Sequence, residues 1–146
     1  MTSRLAQVVR MHKAIGHPVR LRLLAMLRTG PLCVCQMTVV VKLAGSTVSE
    51  HLSELRRADV ITDAKDGRWV EYRLAENDAA RQVLDATWAD LENDPDVRAD
   101  AIVLRELRRI PLDELCSADL DLGRIARPKL AAAVAKAAAL RREVRR

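Results

Sequence analysis

Along the first part of the chain, apolar residues recur every three or four positions, which is the spacing of amphipathic helices. This pattern predicts a first helix over about 4–15, which Gly16 ends. It predicts a second helix that begins at Pro18, a residue suited to the first helical turn, and stops at Thr29-Gly30. His17 lies directly before Pro18, where a capping side chain is expected.

A shorter pair of helices follows. Pro31 restarts the chain into a third helix over roughly 33–43, and Ala44-Gly45 makes a tight turn. Ser46 or its neighbour then caps a fourth helix, which ends near Ala58. Two short helices joined by a glycine-bearing turn predict a helix-turn-helix, whose second helix reads DNA.

The next segment is rich in residues that favour strands. The runs 60–62 and 69–74 flank Asp66-Gly67, a dipeptide favoured in tight hairpin turns. They predict a β-wing beside the helix-turn-helix. The predicted fold class is therefore mainly α with a small β-wing, a winged helix-turn-helix.

The remaining sequence predicts further helices and an appendage. With 146 residues, the chain suits one ordinary domain rather than two. We predict a first unit over 1–94 and a C-terminal extension over 95–146 that is helical or partly disordered. The expected elements are a helix from Asp78 to about 93, a helix over about 96–110, an irregular segment over 111–128 and an Ala-rich basic tail over 129–146.

Charged residues are distributed unevenly along the chain. Residues 1–75 carry 12 basic and 6 acidic side chains, residues 76–126 carry 6 and 13, and residues 127–146 carry 7 and 1. The basic first segment suits a polyanion such as DNA, and the acidic middle suits a partner subunit or solvent. No run approaches the roughly 20 apolar residues of a membrane span, and the start lacks a secretory signal pattern, so we expect a cytoplasmic protein without a membrane partner.

Three cysteines in a reducing compartment leave metal binding, redox sensing or simple burial as their roles. Cys33 and Cys35 are two positions apart, and within a regular helix such side chains point roughly 200° away from each other. They can converge only at a helix start, where Pro31 places them and where the helix N-terminus favours thiolates. Two thiolates favour soft ions such as trivalent arsenic and antimony, cadmium, lead or mercury.

Four blocks between residues 14 and 74 resemble the ArsR/SmtB family of winged-helix repressors in order and spacing. They read AIGHPVRLRLL, LCVC, STVSEHLSELRRA and DGRWVEYRL. The resemblance covers about the first 90 residues. It implies a homodimer that binds operator DNA and blocks transcription of a resistance operon until a metal ion binds. It makes 1–94 a DNA-binding and dimerisation domain, for which we expect the helices at about 4–15 and 78–93, the latter with Trp88, to form the dimer core.

Candidate DNA contacts lie on the fourth helix and the wing. Val48, Leu52 and Leu55 are expected to face the core, which turns the hydroxyl side chains and His51 near the helix start toward base edges and phosphates. Basic residues on the wing and around the helices are the expected phosphate contacts. The predicted DNA-binding residues are Lys42, Ser46, Thr47, Ser49, His51, Arg56, Lys65, Arg68 and Arg73.

Arsenic sensors that resemble this chain often carry a third cysteine three residues after the Cys-x-Cys pair, but here that position is Thr38. Trivalent arsenic prefers three sulfurs, so we predict a site of Cys33, Cys35 and Cys116 that binds As(III) or Sb(III) as inducer, within one subunit or across the dimer. The alternative is a two-cysteine site for cadmium, lead, mercury or a methylated arsenical. The stretch 78–94 holds no histidine, so a zinc site of the kind found there in some relatives is not expected.

The mechanism expected from the resemblance is opposition between inducer and DNA. If the inducer binds better to a conformation that no longer fits two successive grooves, each ligand weakens the other by the same coupling free energy. A repressor switched by oxidation of the same cysteines remains an alternative, as does a winged-helix scaffold that binds proteins. An enzyme is not expected, because the sequence shows no phosphate loop and no nucleophile, base and acid set, and no organic cofactor is expected.

Overall fold

The computed structural model describes residues 3–145, and within them it shows a mainly helical chain with one small sheet. The helices are α1 (Arg4–Ile15), α2 (Pro18–Arg28), α3 (Val34–Val41), α4 (Gly45–Arg57), α5 (Asp78–Leu91), α6 (Pro95–Leu107), α7 (Leu112–Ser117) and α8 (Pro128–Val144), with a 3₁₀ turn at Leu122–Arg124. The strands are β1 (Leu32–Cys33), β2 (Ile61–Asp66) and β3 (Trp69–Leu74). The predicted winged helix-turn-helix is confirmed, with α3 and α4 as its two helices.

Local signals in the sequence start and stop these helices. The side chain of His17 accepts a hydrogen bond from the backbone N–H of Val19 at 3.1 Å, so His17 caps α2 as predicted. Asn77 caps α5 and Asp94 caps α6 in the same way. Gly16 ends α1, also as predicted. The caps fix where each helix begins, and therefore which of its faces meets the core.

The sheet is antiparallel, with β3 between β1 and β2. β2 and β3 form the wing, and their pairing runs from Ile61 opposite Leu74 to Asp66 opposite Trp69. Gly67 closes the hairpin at φ +60°, a left-handed conformation that glycine adopts without strain.

β1 was not predicted. Its Cys33 lies opposite Glu71 of β3 and directly precedes α3. The third helix, predicted over roughly 33–43, begins at Val34 with Cys33 as its N-cap, and it ends earlier than predicted, at Val41 before a left-handed residue at Lys42. The expected cap of the fourth helix is also wrong, because α4 begins at Gly45 and its N-cap Ala44 offers no side-chain oxygen.

The extension packs onto the winged-helix unit and shares its core. α6 contacts α2 and α3, and α8 lies along α6. Leu104, Leu107 and Leu115 are fully buried in the same cluster that contains Leu52 and Leu55 of α4. The residue boundary at 94 remains a prediction about domains, but physically the core continues across it.

One expectation for the extension needs correction. The segment 111–128 is not irregular throughout, because it contains α7 and the 3₁₀ turn. The basic tail forms a helix through Val144, which agrees with the expected helical or partly disordered extension, and alanines such as Ala133 and Ala137 allow α8 to pack closely on α6. No helix within residues 3–145 has the length and hydropathy needed to cross a bilayer.

One buried carboxylate connects three helices of this assembly. Asp100 of α6 is 1% exposed and pairs with Arg22 of α2, whose guanidinium donates two hydrogen bonds of 2.8 Å. Arg141 of α8 donates a third at 2.5 Å. Hydrogen bonding to Asp100 is the main reason that the pKa of Arg22 is raised. Asp100 therefore ties the extension to the winged-helix unit through charged hydrogen bonds.

Candidate thiol site and DNA-binding surface

Two of the three cysteines meet between α3 and α7. The Sγ atoms of Cys35 and Cys116 are 3.4 Å apart, although the residues are separated by 81 positions in sequence. Leu115 is fully buried and anchors α7 against the core, and Cys116 follows it on the side that faces α3. Both thiols are half-buried, and all three cysteines of the chain are free. The structure thus joins the C-terminal extension to the Cys-x-Cys segment within one subunit.

Cys33 lies near this pair but is held differently. It is 7% exposed and belongs to β1, and its backbone N–H donates a hydrogen bond to the side-chain oxygen of Gln36 at 2.9 Å. Cys33 is also the N-cap of α3, so it lies at the helix start as predicted, and its pairing with β3 extends its backbone there. Within residues 3–145, no group of three or more His, Cys, Asp or Glu side chains is arranged to hold a metal ion. Cys33, Cys35 and Cys116 as a single site remain a prediction.

Burial opposes ionisation of these thiols. It is the main reason that the pKa of Cys35 is raised to about 11, and the hydrogen bond with Cys116 adds to the effect. The pKa of Cys33 is also raised, first by burial and then by the negative charges of Glu71 and Asp66. The expectation that a helix N-terminus favours thiolates here is wrong, because burial raises the pKa of both Cys33 and Cys35. Cys35 is therefore a neutral thiol near neutral pH.

Thr38 occupies a position one turn after Cys35 on α3. It is 7% exposed, and its hydroxyl oxygen has no hydrogen-bond partner among the described residues. A third thiolate at this position is thus replaced by a buried hydroxyl, which makes Cys116 the cysteine that the fold brings to Cys35.

The predicted recognition helix, α4, has a buried apolar face and an exposed polar face, as expected. Val48, Leu52 and Leu55 are fully buried on the inner face of α4. Ser46 is exposed, and Thr47 and Ser49 are partly exposed on the other side. This arrangement leaves short hydroxyl side chains available to DNA, as the sequence pattern predicts.

His51 is tied to α2 rather than free on the surface. Its Nδ1 accepts a hydrogen bond from Nε of Arg20 at 3.2 Å, and its ring centroid lies 4.5 Å from that of His17. Burial and the neighbouring positive charges of His17 and Arg20 lower the pKa of His51. His51 therefore favours its neutral form. Arg20 was not predicted as part of this surface, because only the packing of α2 on α4 brings it there.

Carboxylates accompany all three arginines that were predicted to bind phosphates. Arg56 pairs with Asp63 at 3.5 Å, Arg73 pairs with Glu71 at 2.6 Å, and Arg68 pairs with Asp113 of α7. Lys42 and Lys65 are exposed. The pairing of Arg68 with Asp113 crosses 45 positions, and no local sequence signal indicates it.

The fold and this surface define a winged helix-turn-helix protein with a thiol pair between α3 and α7. Residues 17–63 match the family described as "Bacterial regulatory protein, arsR family". The chain is 30% identical over 83 residues to the arsenical resistance operon repressor of Escherichia coli, a match that covers 55% of this chain and 71% of that protein. The chain belongs to the ArsR family.

Other relatives agree with this assignment. The arsenic resistance transcriptional regulator ArsR1 of Pseudomonas putida is 40% identical over 63 residues, which cover 42% of this chain and 49% of that protein. The match therefore spans about half the length of ArsR1. The solution structure of the homodimeric winged helix-turn-helix DNA-binding domain of Mb0332 from Mycobacterium bovis has a TM-score of 0.54 and 28% identity, and covers 63% of this chain and 90% of that domain. The family match ends at residue 63 and so contains Cys33 and Cys35 but not Cys116.

Proposed function

We propose that this protein is a transcriptional repressor that binds operator DNA as a homodimer and releases it when trivalent arsenic or antimony binds its cysteines. Cys35 and Cys116 provide two sulfur ligands, and Cys33 provides the third when the inducer binds. The contact between the Sγ atoms of Cys35 and Cys116 is the observation that carries the proposal. Two sulfurs in contact would supply two of the three soft donors that trivalent arsenic prefers, and we propose Cys33 as the third.

The chemistry of the resting thiols fits a neutral arsenic species. Arsenous acid carries three hydroxyl groups, and each As–S bond forms as one thiol proton and one hydroxide leave together as water. No net charge has to be created in the half-buried site, where the pKa of Cys35 is about 11. The relatives named for arsenic resistance support the same inducer.

The proposed dimer uses α1 and α5. Leu5 and Val9 of α1 are exposed at 76% and 43%, which is unusual for apolar side chains on an otherwise amphipathic helix. Arg4 of α1 donates a hydrogen bond to Gln82 of α5 at 3.2 Å, so the two helices form one continuous face. Trp88 of α5 is buried within the subunit, and the guanidinium of Arg28 lies over its ring, 5.1 Å from the centroid. A dimer through this face would present two α4 helices to successive grooves.

Operator binding with added inducers tests the proposal. A fluorescein-labelled duplex, selected by the protein from a random DNA pool, is titrated with the full chain and followed by anisotropy. Arsenite is expected to release this duplex at concentrations at which zinc has no effect. Tight DNA binding that arsenite leaves unchanged would contradict the proposal, and a protein without sequence preference would instead fit the protein-binding scaffold.

Binding of cadmium should depend on pH far more than binding of arsenite. Each thiol that ligates Cd(II) must lose its proton, and the pKa of Cys35 lies above the pH at which binding is measured. Because the protonated form dominates below that pKa, cadmium affinity should rise about tenfold per pH unit for every thiol deprotonated. Arsenite affinity should stay nearly constant between pH 6 and 8, since its reaction releases water. Isothermal titration in two buffers of different ionisation enthalpy measures both, and equal proton release by the two inducers would contradict this account.

A redox-switched repressor is the second candidate, and the same 3.4 Å contact favours it. Peroxide would oxidise Cys35 and Cys116 to a disulfide, with the two thiol protons and the peroxide oxygens leaving as two waters. The raised pKa of Cys35 opposes this route, because thiolates react and thiols do not. Release of the duplex by peroxide in the absence of arsenite would favour this candidate.

A further inference from the structure

The turn of the wing makes a contact with the C-terminal extension. Arg68 follows Gly67 in the β2–β3 hairpin, and 69% of its side chain is exposed. Its guanidinium lies over the ring of Trp69, 5.1 Å from the centroid, and forms an ion pair with Asp113 of α7. The wing residue expected to contact a DNA phosphate is thus bonded to a carboxylate of the same chain.

The helix that carries this carboxylate also carries the thiol. Asp113 and Cys116 are three residues apart on α7, so they project from neighbouring positions on one side of a short helix. Leu115 between them is fully buried, which fixes the position of α7 against the core. The packing that brings Cys116 to Cys35 therefore also brings Asp113 to the wing.

A guanidinium group offers the same fork of N–H donors to a carboxylate and to a phosphate. The guanidinium of Arg68 cannot bind a carboxylate and a phosphate through the same N–H donors at the same time. When α7 is docked, binding of Arg68 to DNA must first break its pair with Asp113, and the net release of counterions is correspondingly smaller. An exposed pair of this kind is weak, so its effect is to adjust affinity and not to abolish binding.

We propose that α7 is a built-in competitor of DNA, in which Asp113 withholds the wing residue Arg68 from the phosphate backbone. The regulatory part of this inference rests on the proposed function: without inducer, α7 can undock when DNA binds, and an inducer that joins Cys35 to Cys116 prevents this and so strengthens the competition. DNA, in turn, favours chains in which Arg68 has left Asp113. The two ligands then oppose each other through one short helix.

The variant Asp113→Asn tests the competition directly, and Glu114→Gln is its matched control. Glu114 is the next residue on α7 and carries the same charge, but it pairs with Arg127 at 2.9 Å instead of with the wing. Without inducer, Asp113→Asn should bind the selected duplex about two- to fivefold more tightly than wild type. Its plot of log affinity against log salt should be steeper by up to about one unit. Glu114→Gln should match wild type in both quantities.

A double variant tests whether Asp113 acts on DNA binding through Arg68. Arg68→Ala should weaken binding, and Asp113→Asn added to it should no longer tighten binding, because the side chain that it frees is gone. Equal affinity and salt slope for Asp113→Asn and Glu114→Gln would overturn the proposal. So would an effect of Asp113→Asn that persists in the Arg68→Ala background.

Arsenite separates this inference from the proposed function. Arsenite binding is followed by thiolate-to-arsenic absorbance in the near ultraviolet, and it should be equal in wild type and Asp113→Asn. The loss of DNA affinity that arsenite causes should be about two- to fivefold smaller in Asp113→Asn. An equal loss in both proteins would overturn the regulatory part. If wild type binds no arsenite, the proposed function fails, and the comparison without inducer still decides whether Asp113 competes with DNA.

Discussion

Replacing Cys116 with serine (Cys116→Ser) is expected to raise the arsenite concentration that releases half of the bound DNA by at least about 100-fold. Partners beyond the ligand shell typically contribute roughly 10–100-fold to metal affinity, and a ligand contributes more. Serine keeps the size of the side chain but removes the sulfur that lies 3.4 Å from Cys35. DNA affinity without arsenite should change little, because Cys116 lies between α3 and α7, away from the outer face of α4. Anisotropy titrations of the selected duplex measure both quantities.

A displaced thiol is the matched control. In Cys116→Ser combined with Ser117→Cys, the chain keeps three cysteines, but the thiol moves by one position and rotates by roughly 100° around α7. Ser117 is exposed, and its hydroxyl donates to the backbone oxygen of Asp113 at 2.7 Å, so its side chain does not point at α3. The arsenite response should stay lost. A normal response in Cys116→Ser would show that the extension takes no part in sensing and would favour the two-cysteine site.

Asp100→Asn is expected to lower the free energy of unfolding by about 3 kcal/mol, the lower end of the range for removing one partner from a buried ion pair. The substitution leaves Arg22 and Arg141 without their shared carboxylate, but each keeps about a quarter of its side chain exposed, at 23% and 24%. That exposure lets water compensate part of the loss. Urea unfolding followed by circular dichroism measures the change.

Asp96→Asn provides the comparison for this effect. Asp96 also accepts a hydrogen bond from Arg141, at 3.3 Å, but 61% of its side chain is exposed. Its loss should cost less than about 0.5 kcal/mol, as is typical for surface pairs. Similar losses in the two variants would show that burial of Asp100 does not strengthen the connection between α2, α6 and α8.

Periodicity was enough to predict most of the fold, because helices and hairpins are signalled within a few residues. Pro18 after His17 marks the start of α2, and Asp66-Gly67 marks the turn of the wing. β1 lacked such a signal, since two residues show no alternation and their partners in β3 lie 38 and 40 positions later in the chain.

The cysteines of the candidate site could be picked out from the sequence, but their geometry could not. The Cys-x-Cys pair indicated soft-ligand binding, and the missing third sulfur at Thr38 directed attention to Cys116. Desolvation of these thiols could not be read from the sequence, because burial depends on how α7 packs against α3. The same packing produces the contact between Arg68 and Asp113, which joins residues whose separation in sequence carries no periodic signal.

X-ray absorption at the arsenic edge of the arsenite-loaded protein tests the central claim most directly, because it counts the atoms bound to arsenic. We expect a shell of three sulfurs in wild type and of two sulfurs with one oxygen in Cys33→Ser and in Cys116→Ser. A two-sulfur shell in wild type that Cys33→Ser leaves unchanged would restrict the site to Cys35 and Cys116. A shell of oxygen alone, or one that Cys116→Ser does not alter, would contradict the claim that arsenic is held between α3 and α7.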